Sequence, residues 1–360
     1  SKDGYRKYVE ALHSRSKRGC SGRDVRTILL VGATVTQKIK YYFLIPVILL
    51  VTSSVGFFDF GELFQAPIQN SSVSTYSQLP IFLQHHGEIK KLHNSSVSET
   101  ENVRTYFESQ SSRLSKIEKS SQLVSPIFLW RLPRDLSGIT DLNDRKQLFI
   151  KFLLPLLIQQ NIAITQKRSF LQILIEKPIS SLSSDEQNWI SKETLYYKIF
   201  DKNVSKPVVT KEVLEELLHR IDIIPVSLAL AQSSLETGWG TSRFSIHGNA
   251  LFGQWTWKAN KGIRPKQRAP RTKHSVRRFN HLAESIMDYA HNLNSSSHYR
   301  SFRLKRGTYR KTGYPIEGWA HNLAEELKKY SSNSNHYIPA VKTIIANNQL
   351  TDFDNYSLSP

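Results

Sequence analysis

The chain has 360 residues, of which 49 are Lys or Arg and 30 are Asp or Glu, so its formal net charge is +19. A hydrophobic fraction of 39% suffices for one or two packed domains and excludes a fully disordered chain. The one cysteine, Cys20, excludes a disulfide scaffold within the chain and a cysteine-rich zinc or iron–sulfur site. The basic balance indicates an anionic partner, without distinguishing nucleic acid from anionic lipid or an anionic cell wall.

The N-terminal region is typical of membrane insertion. Residues 41–58 (YYFLIPVILLVTSSVGFF) carry no formal charge, and as a helix they span about 27 Å, close to the thickness of a bilayer core. Residues 1–40 hold ten Lys or Arg against three acids, a bias that keeps the N-terminus cytoplasmic. We therefore predict a basic cytoplasmic arm over 1–40 and an uncleaved signal anchor from Tyr41 to Phe58. A cleaved signal peptide and a buried soluble helix are the alternatives.

The next segment, 59–125, is predicted to be a serine-rich linker. Fourteen serines occur between residues 61 and 125, and no sustained apolar period accompanies them. Some apolar residues between 101 and 123 have helical spacing, so a short helix there is the alternative.

From Pro126 the pattern changes to amphipathic helices, and residues 126–204 are predicted to form an α-helical region. The apolar run Leu148 to Ile158 has 11 residues and contains Pro155, which predicts a core helix bent at the proline rather than a membrane span. Further helices are predicted over Phe170 to Glu176, Ser184 to Ile199, Lys211 to Arg220 and Leu282 to Asn294.

The chemistry is concentrated between residues 223 and 257. A helix is predicted to begin near Pro225 and to stop at Gly238, which places Glu236 at its C-terminal end beside Leu235 and Trp239. The helix dipole and the apolar neighbours both favour the neutral carboxylic acid. Such a carboxyl suits a general acid for glycosidic cleavage, while an ordinary exposed helix-end glutamate is the alternative.

Two motifs carry a resemblance to a known family: the nine residues from Glu236 (ETGWGTSRF) and the six from Gly248 to Gly253 (GNALFG). They resemble the signature of bacterial glucosaminidases of glycoside hydrolase family 73. Over about residues 126–352 the chain is similar to the Bax-like proteins of Gram-negative bacteria.

The resemblance implies a mainly α (α+β) fold, with a lysozyme-like helical domain over 205–356 and a small β-hairpin arm. It implies an enzyme that cleaves the β-1,4 bond after N-acetylglucosamine in peptidoglycan glycan strands, with Glu236 as the acid. Together with the signal anchor, it implies a protein of the bacterial inner membrane whose catalytic domain lies in the periplasm.

The residues around Glu236 are also suited to binding sugars. Four of the aromatic residues that follow it within a short stretch are candidates to contact sugars, and two amides lie among them. We predict Trp239 and Trp255 as the aromatic pair of a cleft and Phe252 as a wall residue, with core packing as the alternative. The remaining members of the stretch are Asn249 and Gln254, which are candidates for substrate binding, and Trp257.

Two later tyrosines, Tyr330 and Tyr337, match positions that lie near the acid in the glucosaminidase family. The resemblance favours Tyr330 as the catalytic tyrosine, because a phenol can orient water or the substrate acetamido group. Tyr337 is a candidate for substrate binding, with a packing role as its alternative. Tyr289, on the predicted helix after residue 282, is interpreted as a core residue.

The second carboxylate of a typical glycosidase has no clear candidate. No Asp or Glu occurs between Glu236 and Glu284, and Glu284 and Asp288 are weak candidates. A substrate-assisted route, with the 2-acetamido oxygen as nucleophile, needs only one protein acid. A wall-binding protein without activity, a muramidase and a lytic transglycosylase remain alternatives.

The arm is strongly basic: Lys258 to Arg278 holds nine Lys or Arg and no acid. Binding to the carboxylates of stem peptides and a plain solvated loop are equally compatible with this run. Pro265 and Pro270 break any recognition helix, so we predict no nucleic-acid partner. Scattered histidines without a metal-binding spacing predict no metal and no cofactor.

Overall fold

The structure is a computed structural model that describes residues 98–115, 122–201, 203–204, 207–265 and 274–359. All of them lie within one compact unit, Ser74–Pro360. The predicted cytoplasmic arm and signal anchor lie outside the described residues, as does most of the predicted linker.

The described residues form a mainly helical fold with two small sheets, which confirms the predicted fold class. The helices are α1 (Glu99–Ser115), α2 (Leu142–Ile175), α3 (Ser184–Tyr196), α4 (Lys211–Arg220), α5 (Val226–Thr237), α6 (Arg243–Gly248), α7 (Leu282–Ser295), α8 (Arg300–Thr312), α9 (Trp319–Ala324) and α10 (Ser334–Asn347). The strands are β1 (Leu123–Val124), β2 (Trp255–Thr256), β3 (Gly262–Ile263), β4 (Ser275–Arg277) and β5 (Ser357–Leu358). Short 3₁₀ helices connect several of them, including Leu350–Asn355 after α10.

Helix α1 falls within the segment that the sequence predicts to be a linker. Its Val103 and Phe107 are buried in the main core, and the Phe107 ring lies 5.4 Å from that of Phe152 on α2. Arg104 of the same helix forms a bidentate ion pair with Asp144. Residues 99–115 therefore form a helix rather than a tether, because Val103 and Phe107 share one face and pack into the core.

Helix α2 is 34 residues long and continues through Pro155. Its N-cap is Asp141, whose carboxylate accepts hydrogen bonds from the backbone N–H groups of Asn143 and Asp144. The predicted core helix is thus much longer than its apolar run, because packing against α4, α5 and α7 supports the chain on both sides of the proline. By length and hydropathy α2 is also a candidate membrane span, but 61% of its apolar window is buried inside the protein.

Helix α5 lies at the centre of the fold, packed against α2, α9, α10 and the 3₁₀ helix Leu350–Asn355. Every residue from Val226 to Ser234 is buried. The helix ends where predicted, with Gly238 in the left-handed conformation at φ 58° and its N–H bonded to the Ser234 carbonyl. At the other end, Asp354 accepts hydrogen bonds from the backbone N–H and the hydroxyl of Ser227.

The predicted hairpin arm is a three-stranded antiparallel sheet in the order β2-β4-β3. It is attached to α7 at its base, where the Gln254 amide donates to the Ser285 carbonyl. The second sheet is a parallel pair that joins β1 to β5, with Leu123 opposite Ser357.

Candidate active site

Glu236 is half-buried in the last turn of α5. Burial raises the pKa of its carboxyl above the usual value, and a hydrogen bond from the Tyr337 hydroxyl partly opposes the rise. The neutral acid is therefore favoured, as the sequence predicts. Desolvation is the larger cause of this pKa shift, and the neutral Tyr337 hydroxyl opposes it.

Gly253 lies directly against the Glu236 carboxyl. A Cβ atom built on Gly253 would come within 2.7 Å of Oε2 of Glu236, and the glycine has φ 66°, in the region that disfavours other residues. The backbone of the GNALFG motif thus passes close to the acid, with no room for a side chain at Gly253 unless the carboxyl moves. Glycine is required here by the neighbouring carboxyl as well as by the turn.

Three buried polar side chains form a chain of hydrogen bonds beside Glu236. The Tyr289 hydroxyl donates to Oε1 of Gln232 over 2.7 Å, and Nε2 of Gln232 donates to the Tyr337 hydroxyl over 2.9 Å. Gln232 lies one helical turn before Glu236 on α5, so both side chains point toward the same side. The predicted core residue Tyr289 is buried, but it also belongs to this polar chain.

Tyr330 and Tyr337 lie together, with their rings stacked at a centroid distance of 5.4 Å. The Tyr330 hydroxyl donates to the backbone carbonyl of Phe252 over 2.9 Å, whereas the Tyr337 hydroxyl faces the carboxyl of Glu236 and lowers its pKa. Both tyrosines therefore lie near the acid, and the Tyr337 hydroxyl is the one that lowers the pKa of its carboxyl.

Phe252 is buried, and its ring stacks face to face on Tyr289 at 3.9 Å. The sequence predicts it as a wall of the cleft, but the structure places the ring in the core. Its contribution to the site is its backbone carbonyl, which fixes Tyr330, and its position next to Gly253.

The predicted aromatic pair occupies two different environments. Trp239 follows α5 with φ 59°, is partly buried, and packs edge-on against Phe149 of α2. Trp255 lies on β2, is 57% exposed and stacks flat on His274 at 3.9 Å. Trp257, two residues further, is 73% exposed. The open aromatic surface is on the arm, while Trp239, three residues after the acid in sequence, packs against α2.

The two amides predicted to bind substrate hold the arm in place. Asn249 ends α6 at φ 50° and donates to the carbonyls of Phe279 and Asn280, and Gln254 is bonded to Ser285 as described. The side-chain oxygens of Asn249 and Gln254 are buried and have no hydrogen-bond partner within the described ranges.

Neither weak candidate for a second carboxylate is bonded to Glu236 in the part of the chain that the structure describes. Glu284 accepts a hydrogen bond from the Asn280 N–H at the start of α7. Asp288 forms an ion pair with Arg277 of β4 at 2.5 Å, and burial raises its pKa. Both side chains have structural partners of their own.

Comparisons with known proteins identify the family of the chain. The sequence model of the family described as mannosyl-glycoprotein endo-beta-N-acetylglucosaminidase matches residues 211–350. The chain is 30% identical over 203 residues to Protein bax of Escherichia coli (strain K12), covering 56% of this chain and 69% of that protein. The chain belongs to the Bax-like proteins with a glucosaminidase domain. No solved structure matches it significantly.

The glucosaminidase domain of this Bax-like protein implies a glycoside hydrolase that acts on a glycan. In the described ranges, no three His, Cys, Asp or Glu side chains are grouped to hold an ion.

Sequence reasoning missed Gln232 and the tight contact of Gly253. A signal for Gln232 was present, because a single long polar side chain interrupts the apolar run before Glu236 at a spacing of four residues. The contact of Gly253 had no such signal, since a glycine in a turn motif is explained equally well by backbone conformation alone.

Proposed function

We propose that this Bax-like protein is a peptidoglycan hydrolase, an endo-β-N-acetylglucosaminidase that cleaves the β-1,4 bond after N-acetylglucosamine with Glu236 as general acid. The observation that carries the proposal is the carboxyl of Glu236 itself, desolvated at the end of the buried helix α5 with a raised pKa and a tyrosine hydroxyl beside it. These are the properties that a proton donor to a glycosidic oxygen requires.

In the proposed reaction, neutral Glu236 donates its proton to the leaving oxygen while the bond to the anomeric carbon breaks. The resulting carboxylate is stabilised by the Tyr337 hydroxyl, since a hydrogen bond to the charged form is stronger than one to the neutral form. Tyr337 thus takes the catalytic role, and Tyr330 supports it through the stacked rings and the Phe252 carbonyl.

The nucleophile is proposed to be the 2-acetamido oxygen of the substrate, which bonds to the anomeric carbon as the bond to the leaving oxygen breaks. Water then attacks the anomeric carbon and reopens the ring formed by the acetamido group, and the Glu236 carboxylate takes a proton from this water. Glu284 and Asp288, which are the acids nearest to Glu236 on the C-terminal side in sequence, are bonded to Asn280 and Arg277. A substrate-assisted reaction needs no second protein carboxylate and retains the anomeric configuration. Trp239, directly after α5, and Trp255, on the arm, are proposed to contact sugar rings, with Asn249 and Gln254 fixing the arm that carries Trp255.

The proposed location is the inner membrane of a bacterium, with the domain described by the structure in the periplasm. The support is the uncharged segment at 41–58 after a basic arm and a glycan substrate that lies outside the cytoplasm.

The test is digestion of purified peptidoglycan by the full chain, followed by borohydride reduction and mass spectrometry of the fragments. Glu236→Gln is compared with Glu284→Gln, which removes a carboxylate that is bonded to the start of α7. We expect reduced N-acetylglucosamine ends from the wild type and from Glu284→Gln, and a loss of at least about a thousandfold for Glu236→Gln.

Other products would revise the proposal in distinct ways. Reduced muramic ends would indicate a muramidase, and 1,6-anhydro ends a lytic transglycosylase. If the wild type and Glu236→Gln both bind the sacculus and neither releases fragments, a wall-binding function replaces the enzymatic one. An inverted anomeric product would contradict the substrate-assisted step.

A further inference from the structure

We propose that Gln232 is a positioning residue that turns the hydroxyl proton of Tyr337 toward Glu236. The proposal rests on the proposed function, in which Glu236 is the acid, and it adds a residue that does not touch the substrate.

The first observation is the direction of the hydrogen bonds. A tyrosine hydroxyl has one proton to donate, and an amide has a donor end and an acceptor end. Because Tyr289 donates to Oε1 of Gln232, the amide presents Nε2 to Tyr337 and donates to its oxygen. The proton of Tyr337 is then directed away from Gln232 and is available to the carboxyl of Glu236.

The second observation is the burial of this chain. Gln232 is 0% exposed, and Tyr289 and Tyr337 are 1% and 8% exposed. A buried glutamine costs free energy unless both ends of its amide are bonded, and here both are. Tyr289 is further fixed by its stack on Phe252, so the orientation of the amide is determined by the core and not by solvent.

The third observation is the effect of the amide on Tyr337. Burial and the neighbouring Glu236 raise the pKa of the Tyr337 hydroxyl, and the hydrogen bond from Gln232 lowers it. A donor bonded to the phenol oxygen makes the O–H group a stronger donor in turn. The titratable groups that face Glu236 in the described residues are the hydroxyls of Tyr337 and Tyr330, and Tyr289 faces these two.

The test measures the titration of the Glu236 carboxyl directly, by ¹³C NMR of the full chain with labelled glutamate, assigned through Glu236→Gln. Gln232→Leu removes both ends of the amide, and Gln232→Glu keeps the shape but replaces the donor by an acceptor. Each is made alone and together with Tyr337→Phe. Ser233→Ala is the matched control, because Ser233 is equally buried on α5 and its hydroxyl bonds only to the Leu230 carbonyl.

We expect the pKa of Glu236 to rise in Gln232→Leu and further in Gln232→Glu, which draws the Tyr337 proton to itself. Gln232→Leu should lower the rate of fragment release about tenfold, whereas Ser233→Ala should not. When Tyr337→Phe is already present, Gln232→Leu should change neither the pKa of Glu236 nor the rate of fragment release any further. A residue that acts through the Tyr337 hydroxyl cannot act once that hydroxyl is removed.

The proposal would be overturned if Gln232→Leu shifts the pKa of Glu236 equally with and without the Tyr337 hydroxyl. It would also be overturned if the titration of Glu236 is unchanged in folded Gln232→Leu and Gln232→Glu. Because the titration does not depend on turnover, this result is separate from the proposed function. That function fails instead if wild-type chain releases no fragments.

Discussion

The two parts of the candidate site are built in opposite ways. Around Glu236 the polar groups are buried, bonded to one another and held by the central helix α5. On the arm, Trp255 and Trp257 are exposed, and the neighbouring Lys258 and Lys261 face solvent without an acid in the run. The proposed proton transfer therefore belongs to the buried interior, while the arm offers an open aromatic and basic surface.

Among the variants that test this comparison, the largest effect is expected from forcing a side chain between the two parts. Gly253→Ala places a methyl group against Oε2 of Glu236 at a φ that disfavours alanine, so we expect about a hundredfold loss of activity. Gly313→Ala is the control, because Gly313 has the same φ of 66° and nothing within 4 Å of its added Cβ. Fragment release and thermal unfolding are measured for both. Similar losses of activity in the two variants would show that backbone strain alone is responsible.

The second prediction concerns the opposite end of α5. Burial raises the pKa of Asp354 to about 6, so the folded state favours its protonated form. The contribution of Asp354 to folding stability is therefore fully present below the pKa of the unfolded chain and is lost as pH rises through about 6. We expect the free energy of unfolding to fall by about 2 kcal/mol between pH 4.5 and 7.5 from this group.

Urea unfolding across this pH range tests the Asp354 contribution. Asp354→Asn should remove this part of the pH dependence, while Asp352→Asn, at an exposed position of the same 3₁₀ helix, should keep it. A pH dependence that is identical in the two variants would contradict the assignment.

The third prediction tests the hydroxyl beside the acid. A general acid works while it is protonated, so activity is lost as pH rises through the pKa of Glu236. Tyr337→Phe removes the hydrogen bond that lowers this pKa. The alkaline limb of the pH–rate profile should therefore move to higher pH, with the plateau rate about tenfold lower. Tyr330→Phe, whose hydroxyl bonds to Phe252, should shift the limb less. A limb that moves to lower pH would be the contrary result.

The smallest effect is expected on the arm. Trp255→Ala removes an exposed ring and should raise KM about threefold while leaving kcat and thermal stability near the wild type, since a sugar platform contributes uniform binding. Trp257→Ala serves as the comparison within the same strand region. A fall in kcat with constant KM in Trp255→Ala would place this residue in the transition-state contacts and weaken the contrast between the two parts.

The region around Glu236 could be predicted well, because the residues that start and stop its helices lie close to the helix ends in sequence. Gly238 stops α5 and Glu236 sits in the last turn, as the spacing of apolar residues and the glycine indicate. Helix α4 has the predicted bounds, and α7 differs from its prediction by one residue. These elements have caps or breakers within a few residues of their ends.

The parts that sequence could not predict depend on distant contacts. Helix α2 continues past Pro155 because neighbouring helices cover it, and α1 forms in a serine-rich segment because Phe107 reaches the core. In the site, the Gln232 amide acquires its role only when α7 and α10 bring tyrosines from opposite sides. No local sequence pattern predicts which hydroxyl group will form a hydrogen bond with the donor or the acceptor end of a buried amide.

The pairing of β1 with β5 sets an order of events during synthesis. Leu123 lies against Ser357, and Ser227 at the start of α5 is capped by Asp354. When the ribosome has synthesised α5 with Glu236, it has not yet synthesised Asp354, which caps the start of this helix. Contacts between residues so distant in sequence form late in folding. The acid can be held firmly only after residues 350–358 have been made, which delays assembly of the site until almost all of the described domain exists.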